Sequence, residues 1–146
     1  MKAMLYPDDY SPEQWQAIIG RVFSEAAVIK QRGKQWTQLI DPAHVADSLL
    51  KRTVASVLVS GYLVCYGVGT PWYNPNVRAL EEMLVLRVPE SPGRFTDVIK
   101  ALRTLAVENQ CDVIVAGSAL PSDDRLVRVY ERYGFRREAT TLIQRI

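Results

Sequence analysis

The stretch from Leu86 to Thr96 combines features that could bind an anion. Its sequence, LRVPESPGRFT, places two prolines and Gly93 between a strand-like segment and a helical pattern. Free backbone N–H groups and the dipole at a helix N-terminus attract phosphates, and Arg94, with Arg87 nearby, would add positive charge. An ordinary strand-to-helix turn has a similar composition. The stretch therefore indicates either a phosphate site or a simple connection.

A second motif lies further along the chain. Tyr130 precedes Gly134 and Phe135 with the spacing Y-x-R-x-G-F. In this motif, and in the order of its predicted elements, the chain resembles the GNAT superfamily of N-acyltransferases, whose penultimate helix commonly ends Y-x-K/R-x-G-F before a final strand. The resemblance covers nearly the full chain. It implies transfer of an acyl group, most simply acetyl, from acetyl-CoA to an amine.

The resemblance also implies a cofactor loop, and here the sequence departs from the family. The loop usually reads Q/R-x-x-G-x-G/A, whereas this chain places Ser91, Arg94 and Thr96 at those three positions, with Gly93 close by. Strand backbone would pair with the pantetheine arm, and the loop would hold the pyrophosphate. Asp123 stands where many members have an asparagine seven residues before the tyrosine. The implied cofactor-binding residues are Leu86, Arg87, Val88, Ser91, Gly93, Arg94, Phe95, Thr96 and Asp123.

Catalytic roles follow from the same resemblance. Tyr130, at the family's tyrosine position, would donate a proton or hydrogen bond to the departing thiolate; alternatively it packs on the last strand. Glu81 and Glu82 are the candidate bases, and only one can face the cleft because adjacent strand residues point to opposite faces. We favour Glu82. Both could instead be solvated carboxylates or partners of nearby arginines.

Two aromatic residues offer a candidate acceptor site. Trp72 and Tyr73 lie in the turn-rich loop GTPWYNPNV, and aromatic side chains give large, rigid contact surfaces. Packing beneath the loop is the alternative. The acceptor could be a small-molecule amine or a protein amine.

The helices and strands that would position these residues are predicted from the spacing of apolar residues and from the residues that cap helices or form turns. Apolar residues at helical spacing predict helices over 12–30, 42–51, about 95–108 and from 122 to Tyr133. Ser11 and Asp41 would cap the first two helices, and Ser60-Gly61 would turn a hairpin. Strands are predicted at 54–60, 62–68, 80–88, 112–117 and 135–146, of which 112–117 is expected to be buried.

This order predicts a single α/β domain over residues 1–146, with a mixed sheet and helices on both faces. The strand–helix–strand crossover requires the strands at 80–88 and 112–117 to be parallel. A length of 146 residues and a hydrophobic fraction of 48% are typical of one globular domain.

Charge and cysteine content exclude several classes. Eighteen Lys and Arg residues against sixteen Asp and Glu are spread evenly, so a nucleic-acid partner is not expected. Cys65 and Cys111 lie in apolar stretches and are expected to be buried thiols in a reducing cytoplasm. With one histidine, His44, which is expected at the surface, neither a zinc site nor a catalytic Cys–His pair is predicted. We also expect no signal peptide and no membrane partner.

Two functions from different classes remain open. One is an acetyl-CoA-dependent N-acetyltransferase; the other is a binding or virion-associated module that keeps the fold without catalysis, as the altered loop would allow. The run from YLVCYGVGTPWY to LEEMLVLRV is similar to small acetyltransferase-like proteins of tailed bacteriophages. A homodimer formed through a sheet edge or the final strand is compatible with either function.

Overall fold

The computed structural model describes residues 3–32, 35–117, 125–138 and 142–146. Its helices and strands, in chain order, are α1 (Pro12–Gln31), α2 (Pro42–Leu50), β1 (Ala55–Val59), β2 (Tyr62–Gly69), β3 (Ala79–Arg87), α3 (Thr96–Glu108), β4 (Val113–Val115) and α4 (Arg125–Arg132). Short 3-10 turns cover Pro7–Asp9 and Trp36–Leu39.

Local sequence signals set most of these boundaries. Ser11 and Gln14 form the reciprocal capping box at the start of α1, and the Asp41 carboxylate accepts from two N–H groups at the start of α2. Ser60 and Gly61 both have positive φ, as a tight two-residue hairpin requires. Gly134, with φ +93°, follows α4. These four features confirm the predicted helix starts, the hairpin turn and the stop after α4.

The sheet has the strand order β1-β2-β3-β4. The β1–β2 and β2–β3 pairs are antiparallel, and β3 and β4 are parallel, as predicted. Helix α3 supplies the connection between the two parallel strands. The result is an α/β domain with a sheet of mixed parallel and antiparallel strands and helices on both faces.

A one-residue irregularity divides β3 into two halves. Cys65 pairs with Leu84 and Tyr66 pairs with Glu82, so Met83 has no partner on β2. An extra residue of this kind is a β-bulge. Before it, Leu80 and Glu82 face α3; after it, Leu84 and Leu86 face α1 and α2. In a regular strand these four alternate residues would share one face. The bulge turns the first two toward α3 and the last two toward α1 and α2.

Each face of the sheet has its own core. Helices α1 and α2 pack with Tyr10, Leu58, Leu63 and Cys65 on one side. Helix α3 and Tyr130 of α4 pack on the other side with Val57, Val64 and Leu80. Cys65 is buried and Cys111 is half-buried, both as free thiols. His44 is exposed, as predicted.

Two predictions about the end of the sheet are wrong. The strand expected at 112–117 is only three residues long and is not buried, because Val113 and Val115 are 46% and 52% exposed and, of the expected segment, Ile114 and Ala116 pack on the core while only partly buried. The final strand expected at 135–146 is absent from the described residues 135–138 and 142–146, which join no strand ladder. Alternating apolar residues favour a strand, but a strand forms only where neighbouring backbone completes its hydrogen bonds. The start of the last helix, predicted at residue 122, lies outside the described residues.

Candidate functional site

Beyond Glu81, the pairing of β3 with β4 is not continued by any residue that the structure describes. Their ladder contains three pairs and ends where Glu81 faces Val115, although β3 continues to Arg87. The Val88 N–H donates to the Gly61 carbonyl on the β2 side (2.9 Å). Because successive strand residues direct their backbone groups to alternate edges, the N–H and C=O of Arg87 and Val85 point to the open edge. Within the predicted segment 86–88, the backbone of Arg87 thus faces the gap.

Glu82 lies at the start of this gap. It is 6% exposed, and its Oε2 accepts a hydrogen bond from the Gly117 N–H just beyond β4 (3.2 Å). Burial raises the pKa of Glu82 to about 7; the Gly117 hydrogen bond opposes this rise, and the charge of Glu81 adds to it. A carboxyl group with a pKa near 7 can both accept and release protons at neutral pH.

Tyr130 lies on the same face of the sheet as Glu82. Its ring packs edge-on against Phe95 and Phe135, with centroid distances of 5.7 and 5.1 Å. The residue is 3% exposed, and its hydroxyl has no hydrogen-bond partner in the described part of the chain. Burial, and then the negative charge of Glu82, raise the pKa of Tyr130 above its usual range. A buried hydroxyl without a partner is costly, and a ligand that accepted its hydrogen bond would remove this cost.

The loop after β3 is held by the β1–β2 turn. The Gly93 N–H donates to the Ser60 carbonyl (2.8 Å), and the Ser60 hydroxyl is bonded to Asp97 in the first turn of α3. A Cβ on Gly93 would lie 2.9 Å from the Ser60 Cβ, so glycine is needed for this close approach. The N–H of the loop's one glycine is therefore already engaged and does not point to a free anion site.

The next three residues are different. The N–H groups of Arg94, Phe95 and Thr96 donate to no carbonyl in the described segments, and they lie at the N-terminus of the 13-residue α3. Arg94 and Ser91 are exposed, whereas the Phe95 ring packs inward on Tyr62. The free N–H groups from 94 to 96 can accordingly bind an anion. The Asp97 carboxylate, in the same turn, reduces the positive potential there.

The candidate acceptor residues are at the surface. Trp72 and Tyr73 are 95% and 74% exposed and contact each other edge-to-face at 5.8 Å, so they do not pack beneath their loop. Glu81 is exposed on the opposite face of β3 from Glu82. Asp123 lies outside the described residues.

Two residues of the site were not anticipated. Gly117 orients the Glu82 carboxylate, and Ser60 holds both the loop and the first turn of α3. Neither belongs to a recognisable motif. The Ser60-Gly61 turn was predicted from sequence, but nothing in the sequence indicated that this turn contacts the loop at 88–93.

Other kinds of site find little support among the described residues. No group of three or more His, Cys, Asp or Glu side chains in those segments could hold a metal ion. No helix in the described part of the chain is long and apolar enough to span a bilayer.

Comparison with known proteins finds similarity in structure and not in sequence. No family model matches the chain, and no curated protein matches it. Solved structures match over 99% of the chain: an acetyltransferase from Trypanosoma brucei (TM-score 0.64, 10% identity, 99% of that chain) and the ribosomal-protein-alanine N-acetyltransferase of Brucella melitensis biovar Abortus 2308 (TM-score 0.63, 14% identity, 98% of that chain). A third is AAC(6′)-Iy in complex with the bisubstrate analogue CoA-S-monomethyl-acetylneamine (TM-score 0.61, 13% identity, 97% of that chain).

These identities are too low to transfer an activity or a substrate, and they establish the architecture alone. The similarity extends over nearly the whole length of each chain. The chain has the fold of the GNAT acetyltransferases.

Proposed function

We propose that this protein is an acyl-CoA-dependent N-acetyltransferase that transfers an acetyl group from acetyl-CoA to an amine. The observation that carries the proposal is the juxtaposition of Glu82 and Tyr130. Both are buried on one face of the sheet, beside the gap between β3 and β4. Sites that shift the pKa values of two neighbouring groups upward are frequently catalytic. The fold shared with known acetyltransferases supports the same activity.

Glu82 would act as the general base. An amine acceptor is protonated in neutral water and must lose a proton to become nucleophilic. The carboxylate form of Glu82, populated near neutral pH because of its raised pKa, can accept that proton directly or through one water. The Gly117 N–H holds one carboxylate oxygen and leaves the other available. Glu81, on the opposite face, is not placed to share this role.

Tyr130 would act on the leaving group. Its raised pKa keeps the phenol protonated throughout the neutral range, and its hydroxyl is free to donate. A hydrogen bond from this hydroxyl would stabilise negative charge that develops on sulfur. The Phe95 and Phe135 rings fix the tyrosine ring and exclude water from it.

The residues present fit acetyl-CoA. The free backbone edge at Val85 and Arg87 can pair with the pantetheine amides, and the N–H groups of 94–96, with the Arg94 guanidinium, can receive the pyrophosphate. The unpartnered Tyr130 hydroxyl is close enough to the Glu82 carboxylate for that charge to raise the pKa of the tyrosine. When bound, acetyl-CoA supplies the thioester carbonyl and a thiolate leaving group.

A second candidate is a non-catalytic binding or virion-associated module with the same fold. One observation favours it: the Gly93 N–H is bonded to the Ser60 carbonyl, so the loop offers fewer free donors to a pyrophosphate than a glycine-rich loop would. A phage-encoded module of this kind would work in a bacterial cytoplasm or in the virion.

Calorimetric titration with acetyl-CoA separates the two candidates. We expect micromolar affinity for acetyl-CoA and for desulfo-CoA, weakened about tenfold by Arg94→Ala through loss of a charge-assisted contact. Arg145→Ala removes the same charge from an exposed position elsewhere and should leave the affinity unchanged. If acetyl-CoA at millimolar concentration does not bind the wild-type protein, the acetyltransferase proposal is wrong and the module is favoured.

A further inference from the structure

The face of the sheet that carries Glu81 is open where β3 meets β4. Helices α1 and α2 cover the sheet around Cys65, Leu84 and Leu86, but their core does not extend to the first residues of β3. Glu81 is exposed there, and its neighbours Val113 and Val115 are about half exposed. A shallow, solvent-accessible surface therefore lies opposite the buried Glu82–Tyr130 face.

The register shows what lines this surface. Across β2, Glu81 faces Gly67 and Ala79 faces Gly69, and across β4 the same two residues face Val115 and Val113. We call these six residues the Glu81 patch: Gly67, Gly69, Ala79, Glu81, Val113 and Val115. A Cβ on Gly69 would meet nothing within 4 Å. The patch is an apolar surface around one carboxylate, and the half-exposed Met83 side chain borders it at Gly67, where an added Cβ would lie 3.4 Å from the Met83 sulfur.

The Glu81 carboxylate has no counter-ion within residues 3–32, 35–117, 125–138 and 142–146. No Lys or Arg in the described segments forms an ion pair with it, although Arg21, Lys51, Arg52 and Arg137 pair with other acids. Glu82, the nearest acid, has the same sign and its pKa is raised in part by Glu81. A single unpaired carboxylate on an apolar floor is complementary to an external cation with an aliphatic body.

The patch is connected to the catalytic face. The β3–β4 ladder ends at the Glu81–Val115 pair, and the next residue along β3 is Glu82. A chain-like molecule bound on the patch would reach Glu82 by passing the end of this ladder, next to the Gly117 N–H that donates to the Glu82 carboxylate. The loop that closes the β2–β3 hairpin begins after Gly69 and carries the exposed Trp72–Tyr73 pair, whose faces attract cations.

We propose that the acceptor is an aliphatic di- or polyamine, with one ammonium group bound by Glu81 while a second amine reacts at Glu82. The inference rests on the proposed acetyltransferase function. Glu81 binds and orients the substrate and takes no part in proton transfer. An acceptor with one amine and no further cation would lack the contact with Glu81.

The test compares 1,4-diaminobutane with n-butylamine, which have the same chain length and differ by one ammonium group. For the wild-type protein we expect kcat/KM for the diamine to exceed that for the monoamine about tenfold, mainly through KM, after correction for its two equivalent amines. Glu81→Gln should reduce this ratio to about one. Glu13→Gln, which removes an exposed acid on α1, should leave the ratio near ten. Raised salt should lower the wild-type ratio because the contact is exposed.

Each outcome is decisive. If the wild-type ratio is near one, or if Glu81→Gln retains a tenfold ratio, the acceptor inference is wrong while the acetyltransferase proposal stands. If acetyl-CoA does not bind and neither amine is acetylated, both fail together. Calorimetric binding of 1,4-diaminobutane to the protein saturated with desulfo-CoA gives a readout without turnover, and Glu81→Gln should weaken that binding about tenfold.

Discussion

Glu81 and Glu82 are adjacent in the sequence, identical in chemistry and opposite in surroundings. Glu82 is 6% exposed, bonded to Gly117 and close enough to Tyr130 to raise its pKa. Glu81 is exposed on a floor of glycine and alanine with no counter-ion among the described residues. The strand alternation that separates their side chains therefore buries one carboxyl group, whose pKa rises to about 7, and leaves the other at the surface.

The difference shows that position relative to the gap decides function. A buried carboxyl group is costly to ionise, and that cost is what brings its pKa near 7. An exposed carboxylate keeps its contact with solvent and can attract a cation from it. In the proposed mechanism, β3 supplies the general base on one face and the residue that binds the acceptor on the other.

The largest expected effect is that of Glu82→Gln. Loss of a general base lowers kcat by about 10²- to 10⁴-fold, and the rise of kcat/KM with pH through about 7 should disappear with it. Steady-state kinetics between pH 5.5 and 9 measure both. Glu81→Gln is the matched control, and a comparable loss of kcat in that variant would show that the two carboxyl groups are not functionally distinct.

Tyr130→Phe should have a smaller effect on turnover. The lost hydrogen bond to developing negative charge is worth about 1.5–3 kcal/mol, or roughly 10- to 150-fold in kcat. Because the hydroxyl has no partner in the described part of the protein, its removal should leave the melting temperature unchanged or slightly higher. Tyr133→Phe, three residues along and exposed, provides the control. Unchanged kcat in Tyr130→Phe would assign the tyrosine to packing alone.

Stability should depend on pH through Glu82. Its folded-state pKa of about 7 lies above the ordinary value of 4.5, so between these values the folded chain holds more protons than the unfolded chain. The contribution of Glu82 to the free energy of unfolding is therefore fully present below about pH 4.5 and is lost as pH rises through about 7. The loss is on the order of 2–3 kcal/mol. Urea denaturation at several pH values should show this loss in the wild type and in Glu81→Gln, and a flatter dependence in Glu82→Gln.

Particular residues show how far sequence reasoning reached. The capping box at Ser11, the hairpin at Ser60-Gly61 and the parallel crossover are local or topological rules, and they were confirmed. The bulge at Met83 has no such signal, because nothing in LEEMLVLRV marks an extra residue. The alternation predicted that Glu81 and Glu82 face opposite sides, but it could not tell which would be buried. The Gly93–Ser60 contact joins residues 33 positions apart, so no local pattern predicts it. Whether residues 135–138 form a strand depends on a neighbouring strand to complete their hydrogen bonds, and the spacing of apolar residues carries no information about that strand.

The smallest predicted effect links the two carboxyl groups directly. The charge of Glu81 adds to the raised pKa of Glu82, although less than burial does. Glu81→Gln should therefore shift the acidic limb of the pH profile for kcat/KM toward lower pH by a few tenths of a unit, measured with n-butylamine. Salt should reduce the difference between wild type and variant, because Glu81 is exposed and its field crosses solvent. An unchanged profile, or a shift toward higher pH, would show that the charge of Glu81 does not raise the pKa of Glu82.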